Sequence, residues 1–437
     1  PTLGSLFNGG QTDAPPGMGN WDNSCYQNSV VQGLASLKPL QVFLTSALSS
    51  YGGLLEESTN STLHETIQKL NDPENNGRML WMPAKLKSMS SWQQQDAQEY
   101  FSKILDEVDK ELLKVSKCRS DLPGFNGENG LPQDQNDARA AGHLHNPLEG
   151  FLAQRVACTQ CGYSEGLSMI PFNCLTVPLG REWAYDIRDC LDEYTKLEAI
   201  EGVECAKCTL LRTVSQLEAM LERLSTTPAM NEPLRQSISA RLQATKDALE
   251  SEDFTDKTLS NTCQISKKNW MSTTKSRQAV IARAPKSLVI HVNRSVFNEM
   301  TGAQMKNYAD VSFPSNFDLG PWCLGRPTEE PGDQQKNNRE SWSTDPKQSM
   351  LPSSDSEQIP VSLPYELRAV VTHFGRHENG HYICYRKHPS KVVGQAAEKE
   401  LEPRERWWRL SDEDVSPASE GDVLQQGGVF MLFYEQV

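Results

Sequence analysis

The sequence has no apolar run long enough to cross a membrane and no recognisable signal peptide. Its 11 cysteines are an odd number spread thinly over 437 residues, which argues against a disulfide framework and favours a reducing, intracellular compartment. Basic residues are not in excess: the formal net charge is −14, which argues against nucleic-acid binding and would suit a basic protein partner. Because residue 1 is a proline, we expect a trimmed sequence that would lack any upstream anchor.

Cys25 and His381 are the candidate reactive residues. Cys25 follows turn-forming residues and begins an apolar pattern of helical spacing, and a thiolate, the nucleophilic form, is favoured at a helix amino terminus. His381 follows a glycine at the start of a strand-like run and is a candidate base. Asn20, five residues before Cys25, could direct its amide at an oxyanion. The alternative is a buried structural cysteine and an unrelated core histidine.

Two Cys-x-x-Cys pairs indicate a metal site. Four thiolates from Cys158, Cys161, Cys205 and Cys208 could close a tetrahedral zinc site, with the intervening chain forming strands such as residues 175–179. The alternative is four buried or redox-active cysteines. A structural zinc site is closed and has no open coordination position.

The pattern along the chain changes several times. Residues 25–115 are mostly helical by periodicity, and residues 119–146 are predicted to be a loop or a disordered insertion. After the second cysteine pair, leucine-rich stripes at helical spacing predict a helical hairpin at about 210–250, interrupted by prolines. The hairpin is either a spacer or an arm that docks partners or restricts substrates. A polar segment at about 324–360 is predicted to be disordered.

Five segments in order resemble the ubiquitin-specific proteases, a family of papain-like cysteine peptidases. They are the Cys25 segment, residues 92–100, residues 288–294, the His381 segment and residues 428–434. The resemblance implies an α+β fold within a single catalytic domain, 1–437. Its parts would be a helical thumb at 17–150, zinc-bearing β fingers at 150–290 with the hairpin insertion, and a β-rich palm at 285–437.

The third catalytic residue departs from the usual family pattern. Most members have Asp or Asn where this chain has Ser411, and Asp412 follows it directly. The third group orients the imidazole, and a serine would do so without charge. A small branch of the family, which includes the mitochondrial outer-membrane deubiquitinase of animals and similar fungal enzymes, has a serine at this position. With Ser411, this chain resembles that branch. The two interpretations are a Cys25–His381–Ser411 triad, or Asp412 as the third member. Asp412 could instead help to hold a water or an amide near the oxyanion.

The resemblance also implies the reaction and the partner. Cys25 would attack the carbonyl of the ubiquitin C-terminal glycine, and His381 would protonate the leaving lysine amine and then activate water. Asp96 would contact the basic ubiquitin tail, although it could also be a helix N-cap, and Tyr382 would lie near the channel for the Gly-Gly tail.

The expected function is therefore that of a thiol-dependent deubiquitinase with a structural zinc, acting as a monomer on ubiquitin conjugates or chains. The alternatives are a ubiquitin-binding scaffold with weak catalysis, or a protease for another ubiquitin-like modifier. The resemblance to this branch suggests a preference for ubiquitin chains with an atypical linkage. It also leaves open a cytosol-facing anchor in the mitochondrial outer membrane, outside these residues.

Overall fold

The computed structural model describes residues 12–21, 23–89, 96–120, 144–225, 232–297, 300, 302, 304–324, 342–352, 362–376, 380–389 and 405–437. In these ranges helices dominate before residue 121 and strands dominate after residue 149, so the α+β class expected from the sequence is confirmed. None of the helices that the structure describes is long and apolar enough to cross a membrane.

The amino-terminal part is helical, and local sequence signals mark the starts of two of its helices. Ser58 accepts a hydrogen bond from the Ser61 amide and so caps one helix, and Pro39 occupies the first turn of another. Two short parallel strands lie beside the helices, β1 (Gly17–Met18) and β2 (Met79–Leu80). The helices are α1 (Cys25–Ala35), α2 (Lys38–Tyr51), α3 (Thr59–Asn71), α4 (Ala84–Lys87) and α5 (Ala97–Ser120).

Helix α1 lies at the centre of the molecule, and all of its residues are buried. It packs between the other helices and a large sheet, in one core that joins both halves of the chain. Gly33 allows this close approach, because a Cβ at that position would lie 2.7 Å from the ring of Phe433. The helix that begins at Cys25 is therefore fixed by packing on every side.

The middle of the chain contains a four-stranded antiparallel sheet. The elements of this part of the chain are β3 (Gly150–Cys158), β4 (Ser164–Phe172), β5 (Leu175–Pro178), β6 (Ala184–Asp186), α6 (Ile187–Tyr194), β7 (Glu198–Glu204), α7 (Ala206–Ser225), α8 (Glu232–Glu250) and β8 (Ser272–Arg283). The four-stranded sheet has the strand order β4-β3-β8-β7. Helices α7 and α8 pack together at its end over a small core that includes Leu210, Ala248 and Leu259. These two helices occupy the segment predicted to be a helical hairpin.

The large sheet is built mainly by the carboxyl-terminal part. The strands and the helix of this part are β9 (Ser287–Asn293), β10 (Ser295–Phe297), β11 (Gln304–Lys306), β12 (Asp310–Ser312), β13 (Asn316–Asp318), β14 (Pro364–Gly375), β15 (Gly380–Pro389), β16 (Glu405–Ser411), β17 (Asp414–Ala418), α9 (Glu420–Leu424) and β18 (Val429–Gln436). The strand order in the large sheet is β17-β16-β15-β14-β18-β9-β5, and β13 also pairs with β14.

The strand expected at residues 175–179 is present as β5, and it pairs in parallel with β9 in the large sheet. One segment differs from the sequence-based expectations. Residues 342–352 fall inside the segment predicted to be disordered, yet Met350 is fully buried against Ala153 and Val280. Although that segment is polar in composition, the apolar side chain of Met350 attaches it to the core. The rest of it, like most of the loop expected at 119–146, lies outside the described residues.

Candidate active site

Cys25 is the first residue of α1, and the residues before it are held by Asn20. The Asn20 Oδ1 atom accepts hydrogen bonds from the Ser24 amide at 3.0 Å and from the Ser24 hydroxyl at 3.2 Å. Asn23 has a φ of 58°, a backbone conformation that Asn adopts more readily than most residues. The chain therefore turns sharply and brings Asn20 beside the amino terminus of the helix. Cys25 is only 6% exposed.

His381 is the second residue of β15, where it pairs across the ladder with Phe374. Helix α1 packs against β15, and the backbone N–H of Tyr382, the residue that follows His381, acts to lower the pKa of the Cys25 thiol. The start of β15 therefore lies against the amino terminus of α1. Gly380 is required here for space, because a side chain would collide with the ring of His373. The fold thus brings together two residues that are separated by most of the sequence.

The His381 ring is held by Ser411, the last residue of β16. The His381 Nε2 and Ser411 Oγ atoms are 2.8 Å apart, within hydrogen-bonding distance. The strands β15 and β16 pair directly, which fixes the two side chains on neighbouring strands. With Nε2 engaged by the hydroxyl, Nδ1 is the ring nitrogen left to exchange a proton with a thiol.

Asp412 bonds to other partners. Its Oδ2 atom accepts a hydrogen bond from the Asn20 amide at 2.8 Å, and its Oδ1 atom accepts one from the Asn28 amide at 2.8 Å. Its backbone carbonyl accepts a third bond, from the Met18 amide at 2.9 Å. Asp412 also has a φ of 55°, so the chain reverses between Ser411 and β17. Asp412 therefore connects the segment before Cys25 with helix α1 itself.

Asn28 is a site residue that was not identified from the sequence. Its side chain is 2% exposed and donates to both Asp412 and the carbonyl of Gly19. The available signal was its position one helical turn after Cys25, in the same segment that resembles the family. Sequence reasoning could not find its partner, because Asp412 is 384 residues away.

The electrostatic environment opposes ionisation of the thiol. Burial raises the pKa of Cys25, and the Asp412 carboxylate acts in the same direction. Backbone N–H groups of Tyr382, Tyr26 and Cys25 itself act in the opposite direction. The net direction differs from the one expected from a helix amino terminus alone, because burial outweighs those donors. A base that removes the thiol proton is therefore needed at neutral pH.

Asp96 and Tyr382 lie close to each other, and the side chain of each residue makes contacts that stabilise the fold. The Asp96 carboxylate accepts bonds from the amides of Gln98 at 2.7 Å and Glu99 at 3.3 Å, and so caps α5. Tyr382 is 6% exposed and stacks on His373, with ring centroids 4.3 Å apart. The Tyr382 ring is therefore a core group, and its backbone N–H acts on the Cys25 thiol. Residues 92–95 of the same predicted segment lie outside the described residues.

The four cysteines of the two pairs come together at the end of the four-stranded sheet. The sulfur atoms of Cys158 and Cys208 are 3.6 Å apart, as are those of Cys161 and Cys205. All four lie within 4.8 Å of one another. In a tetrahedral site with Zn–S bonds of about 2.3 Å, sulfur atoms are separated by about 3.8 Å. The cluster therefore has the donor set and the spacing of a four-thiolate metal site.

Comparisons with known proteins agree in one family. A sequence profile described as "Ubiquitin carboxyl-terminal hydrolase" matches residues 16–434. The chain is 25% identical to "Ubiquitin carboxyl-terminal hydrolase 1" of Saccharomyces cerevisiae, over 79% of this chain and 61% of that protein. It is 26% identical to "Ubiquitin carboxyl-terminal hydrolase 27" of Arabidopsis thaliana, over 99% of this chain and 88% of that protein. The chain thus spans less than two thirds of the yeast relative.

The fold also has solved counterparts. A chain of the SAGA Ubp8/Sgf11/Sus1/Sgf73 DUB module bound to ubiquitin aldehyde superposes with a TM-score of 0.57 at 16% identity. The match covers 98% of this chain and 70% of that one. At this identity the likeness concerns the arrangement of helices and sheets.

Proposed function

The chain belongs to the ubiquitin carboxyl-terminal hydrolase family, and on that premise we propose that it is a thiol-dependent deubiquitinase. It would hydrolyse the peptide or isopeptide bond after the C-terminal glycine of ubiquitin. The observation that carries the proposal is that Cys25, the start of β15 and Ser411 lie together in the fold. The solved structure bound to ubiquitin aldehyde supports the choice of ubiquitin as substrate.

In the proposed reaction His381 acts first as a base. Since burial keeps the Cys25 thiol protonated, His381 Nδ1 takes its proton as sulfur attacks the glycine carbonyl. The tetrahedral intermediate collapses when the imidazolium returns that proton to the leaving lysine amine. This leaves a thioester on Cys25. His381 then deprotonates the water that attacks the thioester carbonyl, the C–S bond breaks, and the imidazolium returns the proton to the Cys25 sulfur as the ubiquitin carboxyl group is released. Atoms and charges balance without a metal ion in any step.

Ser411 is proposed as the third member of the triad. Its hydrogen bond to His381 Nε2 would hold the ring so that Nδ1 faces the thiol. A hydroxyl orients the ring but stabilises the imidazolium less than a carboxylate would. Asp412 is proposed for a different role, since its carboxylate bonds to Asn20 and Asn28.

Asn20 is proposed as an oxyanion donor that Asp412 holds in place. One N–H of its amide is donated to Asp412, and its Oδ1 atom accepts from Ser24, so both ends of the amide are oriented. The second N–H can then point at the developing oxyanion together with the backbone N–H of Cys25. A donor that is fixed before the reaction stabilises the oxyanion without reorganisation.

Contacts with ubiquitin are proposed at the start of α5. Asp96 would pair with an arginine of the basic ubiquitin tail, and its N-cap bonds to Gln98 and Glu99 hold the carboxylate in position for this. Tyr382 would bound the narrow tail channel through its backbone, since its ring is packed on His373.

Zinc is the metal proposed for the four-cysteine cluster. Cys158, Cys161, Cys205 and Cys208 would hold it, and their spacing fits tetrahedral thiolate coordination. When bound, the ion would supply folding energy by joining the end of β3 to the start of α7.

Hydrolysis of a fluorogenic ubiquitin conjugate tests the proposal, with Cys25→Ala as the control. Turnover that disappears in the variant supports it. Binding of ubiquitin without turnover, and without reaction of a covalent ubiquitin C-terminal probe, would instead indicate a scaffold. Faster turnover of another ubiquitin-like modifier carrying the same leaving group would indicate a different substrate.

The finer proposals rest on Ser411 and its resemblance to one branch of the family. They are a preference for an atypical ubiquitin linkage and a location at the mitochondrial outer membrane. Diubiquitins of every linkage, compared at equal concentration, test the first. Fractionation of cells that express the whole protein tests the second. Equal rates for all linkages, or absence from the mitochondrial fraction, would reject the corresponding proposal.

A further inference from the structure

Lys306 is a half-buried lysine whose hydrogen bonds go to the main chain. It is the last residue of β11, in the two-stranded β10–β11 hairpin. Its Nζ atom donates to the carbonyl of His373 at 2.8 Å and to the carbonyl of Gly375 at 3.0 Å. These two carbonyls belong to the last residues of β14. A hairpin outside the large sheet is thereby attached to the end of one of its strands.

The residue between those two carbonyls is Phe374, which pairs directly with His381. In the ladder between β14 and β15, His373 pairs with Tyr382, Phe374 with His381 and Gly375 with Gly380. Lys306 therefore holds the β14 backbone on both sides of the position opposite His381. A displacement of this strand end would be transmitted to His381 through the cross-strand pair.

The same open end of the hairpin is also held by Arg294, which directly precedes β10 and is 3% exposed. Its guanidinium donates to the carbonyls of Ala309 at 2.7 Å, Gly427 at 2.8 Å and Val429 at 2.7 Å. Arg294 thus fixes the hairpin that carries Lys306 independently of the bonds between Lys306 and β14.

Retaining a charge at this position is unfavourable by itself. Burial lowers the pKa of Lys306 to about 8, and the neighbouring Arg294 cation acts in the same direction. The ring of Tyr308, 5.3 Å from the Nζ atom, is a further contact. The two strong hydrogen bonds that Lys306 donates to carbonyl oxygens therefore offset the cost of burying its charge.

We propose that Lys306 is a positioning residue for His381, acting through the end of β14. Lys306 fixes the strand opposite the base and thereby sets the distance and angle of the imidazole to the Cys25 thiol. This inference rests on the proposed deubiquitinase function. Misplacement of a catalytic group by about 1 Å can lower turnover by about 100-fold, so the effect is expected in kcat.

The test compares the full chain with Lys306→Met, Lys306→Arg and Lys196→Met. Lys196 is an exposed lysine paired with Glu193 and serves as the matched control. Turnover of a fluorogenic ubiquitin conjugate is measured per reactive Cys25, counted with a covalent ubiquitin probe. Lys306→Met is expected to lower kcat by about 10- to 100-fold with little change in KM. Lys306→Arg, which can donate to both carbonyls, should recover most of the loss.

A purely structural role gives a different result. Fewer reactive sites with an unchanged kcat per site, or a change confined to KM, would overturn the proposal. A second readout needs no ubiquitin: the pH profile of Cys25 alkylation by iodoacetamide reports the thiol and its base. Lys306→Met should shift that profile, and an unchanged profile would overturn the proposal even if the wild type has no turnover. Absent turnover with a shifted profile would reject the deubiquitinase function alone.

Discussion

Ser411 and Asp412 are adjacent in the sequence but bond to different parts of the site. The Ser411 hydroxyl lies 2.8 Å from His381 Nε2, while the Asp412 carboxylate bonds to Asn20 and Asn28. The φ of 55° at Asp412 reverses the chain, so that the two neighbouring side chains reach different partners. One residue is placed to orient the base, and the next is placed to hold the segment before the nucleophile.

The first prediction concerns Ser411. Ser411→Ala removes one hydrogen bond to His381, worth about 1 kcal/mol, so kcat should fall about 5- to 10-fold. Ser411→Asp should keep activity at or above that of the wild type, since a carboxylate also stabilises the imidazolium. Ser416→Ala on β17 is the control, and kcat with a fluorogenic ubiquitin conjugate is measured. Full activity in Ser411→Ala, with loss in Asp412→Ala, would assign the triad to Asp412.

The second prediction concerns Asn28. Asn28→Ala leaves the Asp412 Oδ1 atom without its donor in a partly buried position, so the free energy of unfolding should fall by about 1–3 kcal/mol. Turnover should fall too, because Asp412 also holds Asn20. Denaturant unfolding and kcat are measured, with the exposed Asn316→Ala as control.

A double-mutant cycle separates this coupling from general destabilisation. If Asn28 and Asp412 act through each other, Asn28→Ala and Asp412→Ala should have effects on stability that are less than additive. Additive effects would mean that the 2.8 Å contact contributes nothing of its own.

The third prediction concerns the charge near the thiol. Burial and the Asp412 carboxylate both raise the pKa of Cys25, so alkylation should reach half its maximal rate above the pH usual for a thiol. Asp412→Asn removes the negative charge and should move the profile to lower pH, since the thiolate is then less destabilised. Asp414→Asn, at an exposed carboxylate paired with Arg409, should leave it unchanged. A shift to higher pH in Asp412→Asn would contradict this account.

The fourth prediction concerns the metal. The purified chain should contain about one zinc ion, and a strong chelator should lower its melting temperature by several degrees, since structural zinc contributes several kcal/mol. Cys158→Ser and Cys205→Ser should lose the zinc, whereas Cys323→Ser, outside the cluster, should keep it. Zinc content is measured by elemental analysis. A melting temperature that is insensitive to chelation would reject a structural zinc.

Sequence patterns were most informative where the signal is local. Helical periodicity after Cys25 and strand-like residues around His381 predict the local elements, and the resemblance of the five segments to the family implies the α+β class. The sequence could not decide between Ser411 and Asp412, because their bonds depend on a backbone reversal and on partners hundreds of residues away. Nor could it predict that residues 175–178 pair with β9, or that Met350 is buried, since both depend on long-range packing.

The central position of α1 has a consequence for how the protein is made. Helix α1 is synthesised well before its partners, because Asn20 and Asn28 bond to a residue 392 and 384 positions later and Gly33 packs on Phe433 of β18. A growing chain therefore carries Cys25 with neither His381 nor Asp412 in place until residue 412 has been added. Chains that stop before that residue would remain inactive.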